Sequence, residues 1–307
     1  MPCLPSFFWS AAFFNQFAVR ACDRQKTYEC QAVHLRKRFD GCRYLPYNRR
    51  TMLDTAIEAA WEAGKLLRKN FGTTLNVNLA THHDIKLEID EQAQQVITKV
   101  ILADFPDHCI LGEEAITGNP NADVRWVVDP LDGTVNYFYG IPHYAVSIAA
   151  QERRDGDRWE TVAGVVLAPE IDELFATAKD KPSTLNGRPI QVSNRTDIGE
   201  AIVVMGFFKS VKTIDQGLQS FGQIIHKVRK IRLMGAAALD VAYVASGRFD
   251  AYVEYGIKLW DIAAGQFILD NAGGRAESKP LPDLHSFDVQ MWNGKIPLAE
   301  LLKPAQP

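Results

Sequence analysis

The chain has 307 residues, of which 47% are hydrophobic and 23% are charged, as is usual for a globular protein with a sizeable core. A net charge of −3 provides neither the strong basic field of a nucleic-acid-binding protein nor an acidic tail. No apolar run is long enough to cross a membrane. We therefore expect neither a nucleic acid nor a membrane as a partner.

Residues 1–51 differ from the rest of the chain and are expected to be an atypical N-terminal extension, disordered or not native. An apolar, aromatic stretch precedes a basic one there, which is the reverse of a secretory signal peptide. A transit-like segment, a peripheral anchor and a translated upstream region all fit this pattern. We favour the upstream region, with Met52 as the natural start, because a regular helical pattern begins at that residue.

The cysteines are concentrated in the same extension, without a CxxC pair that would indicate zinc. Only Cys109 lies in the main body, whereas a secreted disulfide framework would spread its cysteines across the fold. We therefore expect a reduced, cytoplasmic protein.

Residues 52–185 are predicted to form an N-terminal α+β lobe. Apolar residues at helical spacing predict a helix from Met52 to about Gly72, and a second one that buries Ile89 to Ile101. Buried strands are predicted next, several of them in one antiparallel sheet. They cover residues 109–114, 125–130, 144–152, 161–169 and 173–179.

Asn186-Gly187 is a tight-turn signal and marks the predicted start of a C-terminal α/β lobe, residues 186–307. Strands and helices alternate after it, which predicts a mixed sheet with helices on its faces. The predicted strands are 201–207, 231–235 and 249–256, and the predicted helices are 217–228, 236–246 and 260–272.

Five acids stand where buried segments meet turns or helix starts. A single acid of this kind is explained as a cap or a turn residue. As a set they would repel one another, and a cation between them would remove that repulsion. Oxygen ligands without His or Cys indicate Mg²⁺ or Ca²⁺ rather than zinc. The five are Asp90, Glu113, Asp129, Asp132 and Asp261.

The residues that follow Asp132 favour a phosphate ligand. Gly133 allows backbone N–H groups to approach an anion closely, and Thr134 adds a hydroxyl within reach of a water. Pro130 stiffens the segment, read here as a turn, so that Asp129 and Asp132 can point the same way. Together these features suggest metal-assisted hydrolysis of a phosphate ester.

The motifs resemble those of the inositol monophosphatase family of Mg²⁺-dependent, lithium-sensitive phosphatases. The resemblance runs from about residue 52 to the C-terminus and implies an α+β fold, the layered α/β/α/β/α sandwich of inositol monophosphatases and fructose-1,6-bisphosphatases. Its blocks follow one another in the family's order: GEE (112–114), WVVDPLDGTVNY (126–137) and LWDIAAGQFILDNAGG (259–274).

The resemblance implies two or three Mg²⁺ ions per site. Glu113, Asp129 and the backbone carbonyl of Leu131 would hold the first ion. Asp129, Asp132 and Asp261 would hold the second.

A third, weaker ion would lie near Glu113 with Asp90 in its outer shell, beside a loop that contains His82 and His83. Glu113 and Thr134 would orient and deprotonate the attacking water.

The resemblance also implies a substrate end of the site. The amides of Gly133 and Thr134 would bind the phosphate, and Asp132, Ala237 and Glu254 would meet the substrate. The chain departs from the family at Val135, where many members have a second threonine.

The leading interpretation is a phosphomonoesterase that releases phosphate from a small polyol phosphate, myo-inositol 1-phosphate above all. Glu254 supports a polyol, because a carboxylate accepts hydrogen bonds from vicinal hydroxyls. Histidinol phosphate or another sugar phosphate is the alternative substrate. A catalytically inactive binding or regulatory protein on the same fold is the alternative of another class. Many family members are homodimers, so a homodimer is a further expectation.

Overall fold

The computed structural model describes residues 50–80, 85–156, 158–207, 210–283 and 285–302. Almost all of the expected extension, residues 1–49, lies outside this range, and so do His82 and His83. Within the described residues no helix is both long and apolar enough to span a bilayer. Cys109 is a buried free thiol.

Most of the helices begin after a residue whose side chain caps them or directly after the end of a strand. The first one starts after Thr51, whose hydroxyl accepts the amide of Asp54 at 3.2 Å while the Asp54 carboxylate accepts the amide of Thr51. The helices are α1 (Met52–Asn70), α2 (Glu88–Asp104), α3 (Thr134–Phe138), α4 (Val211–Ile224), α5 (Ala237–Ala245), α6 (Leu259–Asn271) and α7 (Leu298–Leu301).

The strands form a short hairpin and two larger sheets. The hairpin pairs β1 (Val77–Ala80) with β2 (Ile85–Leu87). The larger sheet contains β3 (Cys109–Gly112), β4 (Ile116–Gly118), β5 (Val124–Asp132), β6 (Ala145–Arg153), β7 (Trp159–Ala168), β8 (Glu173–Ala178), β9 (Thr184–Leu185) and β10 (Arg188–Pro189). The smaller contains β11 (Ile202–Met205), β12 (Lys230–Arg232), β13 (Ala251–Lys258), β14 (Arg275–Pro280) and β15 (Ser286–Trp292).

The eight-stranded sheet runs in the order β10-β9-β8-β7-β6-β5-β3-β4 and is antiparallel except for the β3–β5 pair. It is covered on both faces, which explains the continuous apolar runs of its central strands. Trp126 and Val128 face α1 and α2, whereas Val127, between them, faces the core around α5 and α6.

The five-stranded sheet runs in the order β12-β11-β13-β15-β14. Its β11 is parallel to β12 and β13, and the other pairs are antiparallel. Helices α5 and α6 pack against each other and lie between this sheet and the larger one, while α4 packs against β13. The layers are therefore α1 and α2, the large sheet, α5 and α6, the small sheet, and α4. This is the predicted α+β sandwich.

Most predicted elements are present, but several short elements were not predicted, namely β1, β2, β4, β9, β10, α3 and α7, and others differ from the prediction. The helix predicted over 217–228 begins earlier, after the Ser210 cap, and ends at Ile224. The segment predicted as a turn after residue 128 continues β5 to Asp132. The sequence analysis also missed β15 and β14. The edge strand β14 is exposed and polar, so it lacks a strong apolar pattern.

Asn186 and Gly187 have positive φ values of 51° and 76° and join β9 to β10 as the two central residues of a tight hairpin turn. The lobe boundary predicted at residues 185 and 186 falls in this turn and stays a prediction.

The packing of α1 on β7 depends on Gly64, and this gives a first test. A Cβ at Gly64 would lie 2.8 Å from Leu167 Cδ2, whereas nothing lies within 4 Å of a Cβ at Gly222, on the exposed face of α4. We expect Gly64→Val to lower the free energy of unfolding by about 1–3 kcal/mol. Gly222→Ala should raise it by about 0.5–1 kcal/mol through helix propensity. Urea unfolding measures both, and equal effects would contradict this account of the layer contact.

Candidate active site

The candidate site begins where two parallel strands end at the same edge of the large sheet. Glu113 follows β3, and its amide donates to the carbonyl of Val128 on β5 at 3.0 Å. Asp129 is the next residue of β5. Its Oδ1 accepts the amide of Leu131 at 2.9 Å, which fixes the carboxylate against its own backbone.

A β-bulge brings Asp129 and Asp132 to the same cavity. Asp129 pairs with Ser147 and Asp132 with Ala145, so three steps along β5 match two steps along β6. In a regular strand residues three apart point to opposite faces, and the extra residue of a bulge changes this alternation. Pro130 lies within the irregular stretch, where a missing N–H is tolerated. Both acids consequently line one cavity.

Asp261 reaches the same point from the first turn of α6. Its Oδ2 accepts the amide of Lys258, so the acid caps the helix that carries it. The carbonyl of Trp260 accepts the hydroxyl of Ser147 on β6, which ties this helix start to the large sheet. Carboxylate oxygens of Glu113, Asp129 and Asp261 lie within 4.8 Å of one another. We call these three residues the acid triad.

Asp132 lies beside the acid triad and is held by another helix. Its two carboxylate oxygens accept the amides of Ala237 and Ala238, at 3.0 and 2.8 Å, at the start of α5. The N-cap residue of α5, Ala236, has no side chain that can cap. Asp132 thus supplies the acceptor that the sequence of α5 lacks.

The electrostatics of the cluster favour a bound cation. Burial, and next the negative charge of Glu113, raise the pKa of both Asp129 and Asp261 well above the usual range of a carboxyl. Burial, and next Asp240, raise the pKa of Asp132 to about 7, although the two α5 amides oppose this shift. The acids therefore resist ionisation when nothing offsets their charges.

The donors around the acid triad fit Mg²⁺. They are oxygens only, and about 2.1 Å for each Mg–O bond allows two ligands of one ion to lie up to about 4.2 Å apart. A slight contraction of the 4.8 Å cluster reaches that spacing. Leu131, whose carbonyl is a further predicted ligand, lines the same cavity. That carbonyl accepts the hydroxyl of Thr134 at 3.0 Å.

The predicted phosphate end of the site is a helix start. Gly133 has φ +87° and lies between the last residue of β5 and Thr134, the first residue of α3. A Cβ at Gly133 would lie 3.1 Å from the carbonyl oxygens of Gly235 and His143, so both conformation and space require glycine. The first N–H groups of a helix lack intrahelical acceptors and can receive an anion.

The other wall of the cavity carries Glu254, on β13. It is buried beside Tyr252, whose hydroxyl donates to it. Burial raises the pKa of Glu254 to about 7. A Cβ at Gly206 would lie only 1.7 Å from Glu254 Oε2, so the residue that follows β11 must be glycine to leave room for the carboxylate.

One cavity of about 580 Å³ gathers nearly all the predicted site residues. Asp90 is the exception, because it does not line this cavity. It is buried in the first turn of α2, where its Oδ2 accepts the amide of Leu87 at 2.9 Å. Val135, at the position where the sequence departs from the family, also lines the cavity. The cavity contains Glu113, Asp129, Leu131, Asp132, Gly133, Thr134, Ala237, Glu254 and Asp261.

Sequence reasoning missed several residues that shape the site. Gln94, buried on α2, accepts the amide of Glu114 and donates to the carbonyl of Ala115, which fixes the segment that carries Glu113. Asp240 lines the cavity from the first turn of α5. Each interrupts the apolar face of a helix with a polar side chain, and that interruption was the available signal.

Known proteins resemble this chain in sequence. The model of the inositol monophosphatase family matches residues 48–278. "Nus factor SuhB" of Pasteurella multocida is 38% identical over 228 residues, which are 73% of this chain and 83% of that protein. A "Fructose-1,6-bisphosphatase/inositol-1-monophosphatase" of Aquifex aeolicus is 36% identical over 230 residues, 74% of this chain and 85% of that protein.

Solved structures are similar over most of the chain. The extragenic suppressor protein SuhB of Bartonella henselae has a TM-score of 0.75 at 30% identity and covers 82% of this chain and 98% of its own. A Thermotoga maritima inositol monophosphatase has a TM-score of 0.72 at 32% identity, with 82% and 95% covered.

The repulsion within the acid triad predicts how Mg²⁺ affects stability. The folded-state pKa of Asp129 lies above its unfolded value, so its ionisation costs stability as the pH rises through the folded value. At pH 7.5 we expect Mg²⁺ to raise the melting temperature of the wild type. Asp129→Asn should raise the melting temperature of the metal-free protein by about 2–4 °C per kcal/mol of repulsion removed, and should lose most of the Mg²⁺ effect.

Differential scanning calorimetry with and without Mg²⁺ measures these shifts. Glu277→Gln is the matched control, because it removes one exposed acid of β14 outside the cavity. It should retain the full Mg²⁺ effect. An unchanged Mg²⁺ effect in Asp129→Asn would contradict a cation site at the acid triad.

Proposed function

The chain belongs to the inositol monophosphatase family, and we propose that it is a Mg²⁺-dependent phosphomonoesterase acting on a small polyol phosphate. One observation carries the proposal. The acid triad, the α3 helix start and the buried Glu254 share a single cavity, which thus offers a cation site, an anion site and a hydroxyl acceptor. The cavity volume of about 580 Å³ suits a small-molecule ligand.

Two or three Mg²⁺ ions, held by the acid triad, Asp132 and the Leu131 carbonyl, would neutralise phosphate charge and make water a stronger nucleophile. The chain's own groups would do the rest. Glu113 would accept the proton of the attacking water, and the Thr134 hydroxyl would orient that water. The amides of Gly133 and Thr134 would hold the phosphate so that the water attacks in line with the departing alkoxide.

The proposed attack is direct, without a phosphoenzyme. None of the described residues that line the cavity is a serine, a cysteine or a histidine. Carboxylates and a threonine hydroxyl can also act as nucleophiles. Here the acids would hold cations, and the Thr134 hydroxyl donates to the carbonyl of Leu131. Water is therefore the proposed nucleophile, and Asp90 is proposed to act from outside the cavity through the outer shell of a third ion.

The proposed substrate is myo-inositol 1-phosphate. Glu254 and Asp132 are carboxylates, and Ala237 adds backbone groups beside them, so hydroxyls of a polyol would meet several acceptors at once. Histidinol phosphate and other sugar phosphates carry the same phosphate and fewer vicinal hydroxyls, and they remain the alternatives. We also propose that lithium inhibits the enzyme, as the resemblance to the family implies.

A binding or regulatory function is the candidate of another class. Relatives that bear the name "Nus factor SuhB" support a binding or regulatory function as this second candidate. The complete set of acids favours the enzyme instead, since a site without catalytic use is expected to lose ligands. A cytoplasmic location and the absence of a nucleic-acid partner are proposals that rest on the sequence, and a homodimer is a proposal that rests on the family resemblance.

Phosphate release from a panel of esters tests the proposed function. We expect turnover of inositol 1-phosphate with Mg²⁺ and none after chelation by EDTA. Asp132→Asn should lower kcat/KM by about a hundredfold or more, because a misplaced site group typically costs this much. Glu277→Gln should match the wild type. Full activity in Asp132→Asn would refute the proposed site, and inactivity of the wild type on every ester would favour the binding function.

A second experiment tests the polyol assignment separately. We expect Glu254→Gln to lower kcat/KM for inositol 1-phosphate roughly tenfold to hundredfold, because it weakens hydrogen bonds to a charged acceptor. Turnover of p-nitrophenyl phosphate, which has no hydroxyl groups on its ring, should change less than threefold. Gly206→Ala should show the same selectivity, since its Cβ would displace Glu254. Equal losses on both esters would contradict a hydroxyl-binding role for Glu254.

A further inference from the structure

The start of α5 needs to be held in place, because it holds Asp132. The amides of Ala237 and Ala238 each engage one oxygen of that carboxylate. A small rotation of α5 about its axis would break one or both of these hydrogen bonds. The helix buries mainly small apolar residues, and its N-cap residue has no side-chain hydrogen bond, so contacts from other segments must help to orient its first turn.

His143 contacts α5 on the residues that would fix this rotation. Its Nε2 lies 3.0 Å from Asp240 Oδ1, and both side chains are nearly buried, at 12% and 3% exposure. The ring also makes an edge contact with Tyr243, with centroids 5.9 Å apart. Asp240 and Tyr243 are three residues apart and therefore lie on one face of the helix.

The backbone of His143 is fixed as well. Its carbonyl accepts the side-chain amide of Asn136 at 2.8 Å, and the same amide donates to the carbonyl of Met234 at 2.8 Å, just before α5. The close approach of Gly133 to the carbonyls of His143 and Gly235 belongs to the same packed unit. Because its backbone is fixed and its ring is hydrogen-bonded to Asp240, the imidazole of His143 can hold Asp240 at a fixed position.

We propose that His143 is a positioning residue that, through Asp240, orients the first turn of α5 so that its amides hold Asp132 in the site. The catalytic consequence rests on the proposed function, whereas the structural one does not. Loss of the His143–Asp240 hydrogen bond should loosen the first turn of α5 and leave the rest of the fold in place. The reacting groups would then lose the fixed orientation of Asp132.

Hydrogen–deuterium exchange of the full, metal-free chain tests the structural part. His143→Phe retains a ring but removes the hydrogen bond, and we expect exchange of amides in residues 237–241 to accelerate by about tenfold. His143→Gln can donate from its side-chain amide to Asp240, and it should restore slow exchange. If His143→Phe does not fold, Asp240→Leu replaces it, with Asp240→Asn as the variant that keeps an acceptor oxygen.

His108→Phe is the matched control. His108 also makes one side-chain hydrogen bond, since it accepts the indole N–H of Trp126 on β5 at 3.0 Å, and it lies before β3 and outside the cavity. We expect His108→Phe to leave the exchange rates of residues 237–241 as they are in the wild type, once any difference in the free energy of unfolding has been corrected for. Wild-type exchange of 237–241 in His143→Phe, or failure of His143→Gln to restore it, would overturn the proposal.

Kinetics then separate this inference from the proposed function. We expect His143→Phe to lower kcat/KM for inositol 1-phosphate about tenfold and to raise the Mg²⁺ concentration that gives half the maximal rate. His143→Gln should restore both quantities nearly to their wild-type values. A wild type that releases no phosphate while His143→Phe still accelerates exchange would refute only the proposed function. Active wild type with unchanged exchange in His143→Phe would refute only the positioning role.

Discussion

Repulsion among buried carboxylates is the constraint on which the rest of the site depends. Glu113, Asp129 and Asp261 place oxygens within 4.8 Å of one another, and burial raises the pKa of Asp129 and Asp261. The fold brings them together because two parallel strands end at one sheet edge and α6 starts against it. Asp129 and Asp261 cannot leave the cluster without breaking the backbone hydrogen bonds that their carboxylates accept. The cluster is thus built to be completed by a cation rather than relieved by movement.

Three acids of the cavity have an ordinary structural role as well as their proposed chemical one. Asp129 accepts a backbone amide two residues on, Asp132 caps α5, and Asp261 caps α6. The interpretation of Asp261 as a helix cap is therefore correct, whereas Asp129 and Asp132, expected in a turn, lie at the end of a bulged strand. A structural role of this kind does not compete with the interpretation of these residues as a site. A cap leaves carboxylate lone pairs available for other contacts, because each oxygen accepts more than one hydrogen bond. The same hydrogen bonds that stabilise helices consequently orient the acids.

The sequence was informative where the signal is local. Helical spacing located α1 and α2, apolar runs located the central strands, and the resemblance supplied the acids. Contacts between distant segments could not be predicted. Nothing in the sequence indicates that Gly206 must leave room for Glu254, 48 positions later, or that Gln94 fixes the segment of Glu113. The bulge at Asp129 was read as a turn, because proline and glycine signal both and only the partner strand β6 distinguishes them.

The two ends of the cavity differ in how their geometry is specified, and this bears on specificity. The proposed phosphate end lies within six residues, Asp129 to Thr134, which form one short segment of chain. The opposite end is assembled from β13, the residue after β11 and the first turn of α5, which meet only in the folded protein. A change in any of these distant segments would reshape the substrate pocket without altering the acids. Relatives of 38% and 36% identity bear the names "Nus factor SuhB" and "Fructose-1,6-bisphosphatase/inositol-1-monophosphatase". The start of α5 contributes to both ends of the cavity, because it holds Asp132 and supplies Ala237, so loss of the contact between His143 and Asp240 should disturb both ends together.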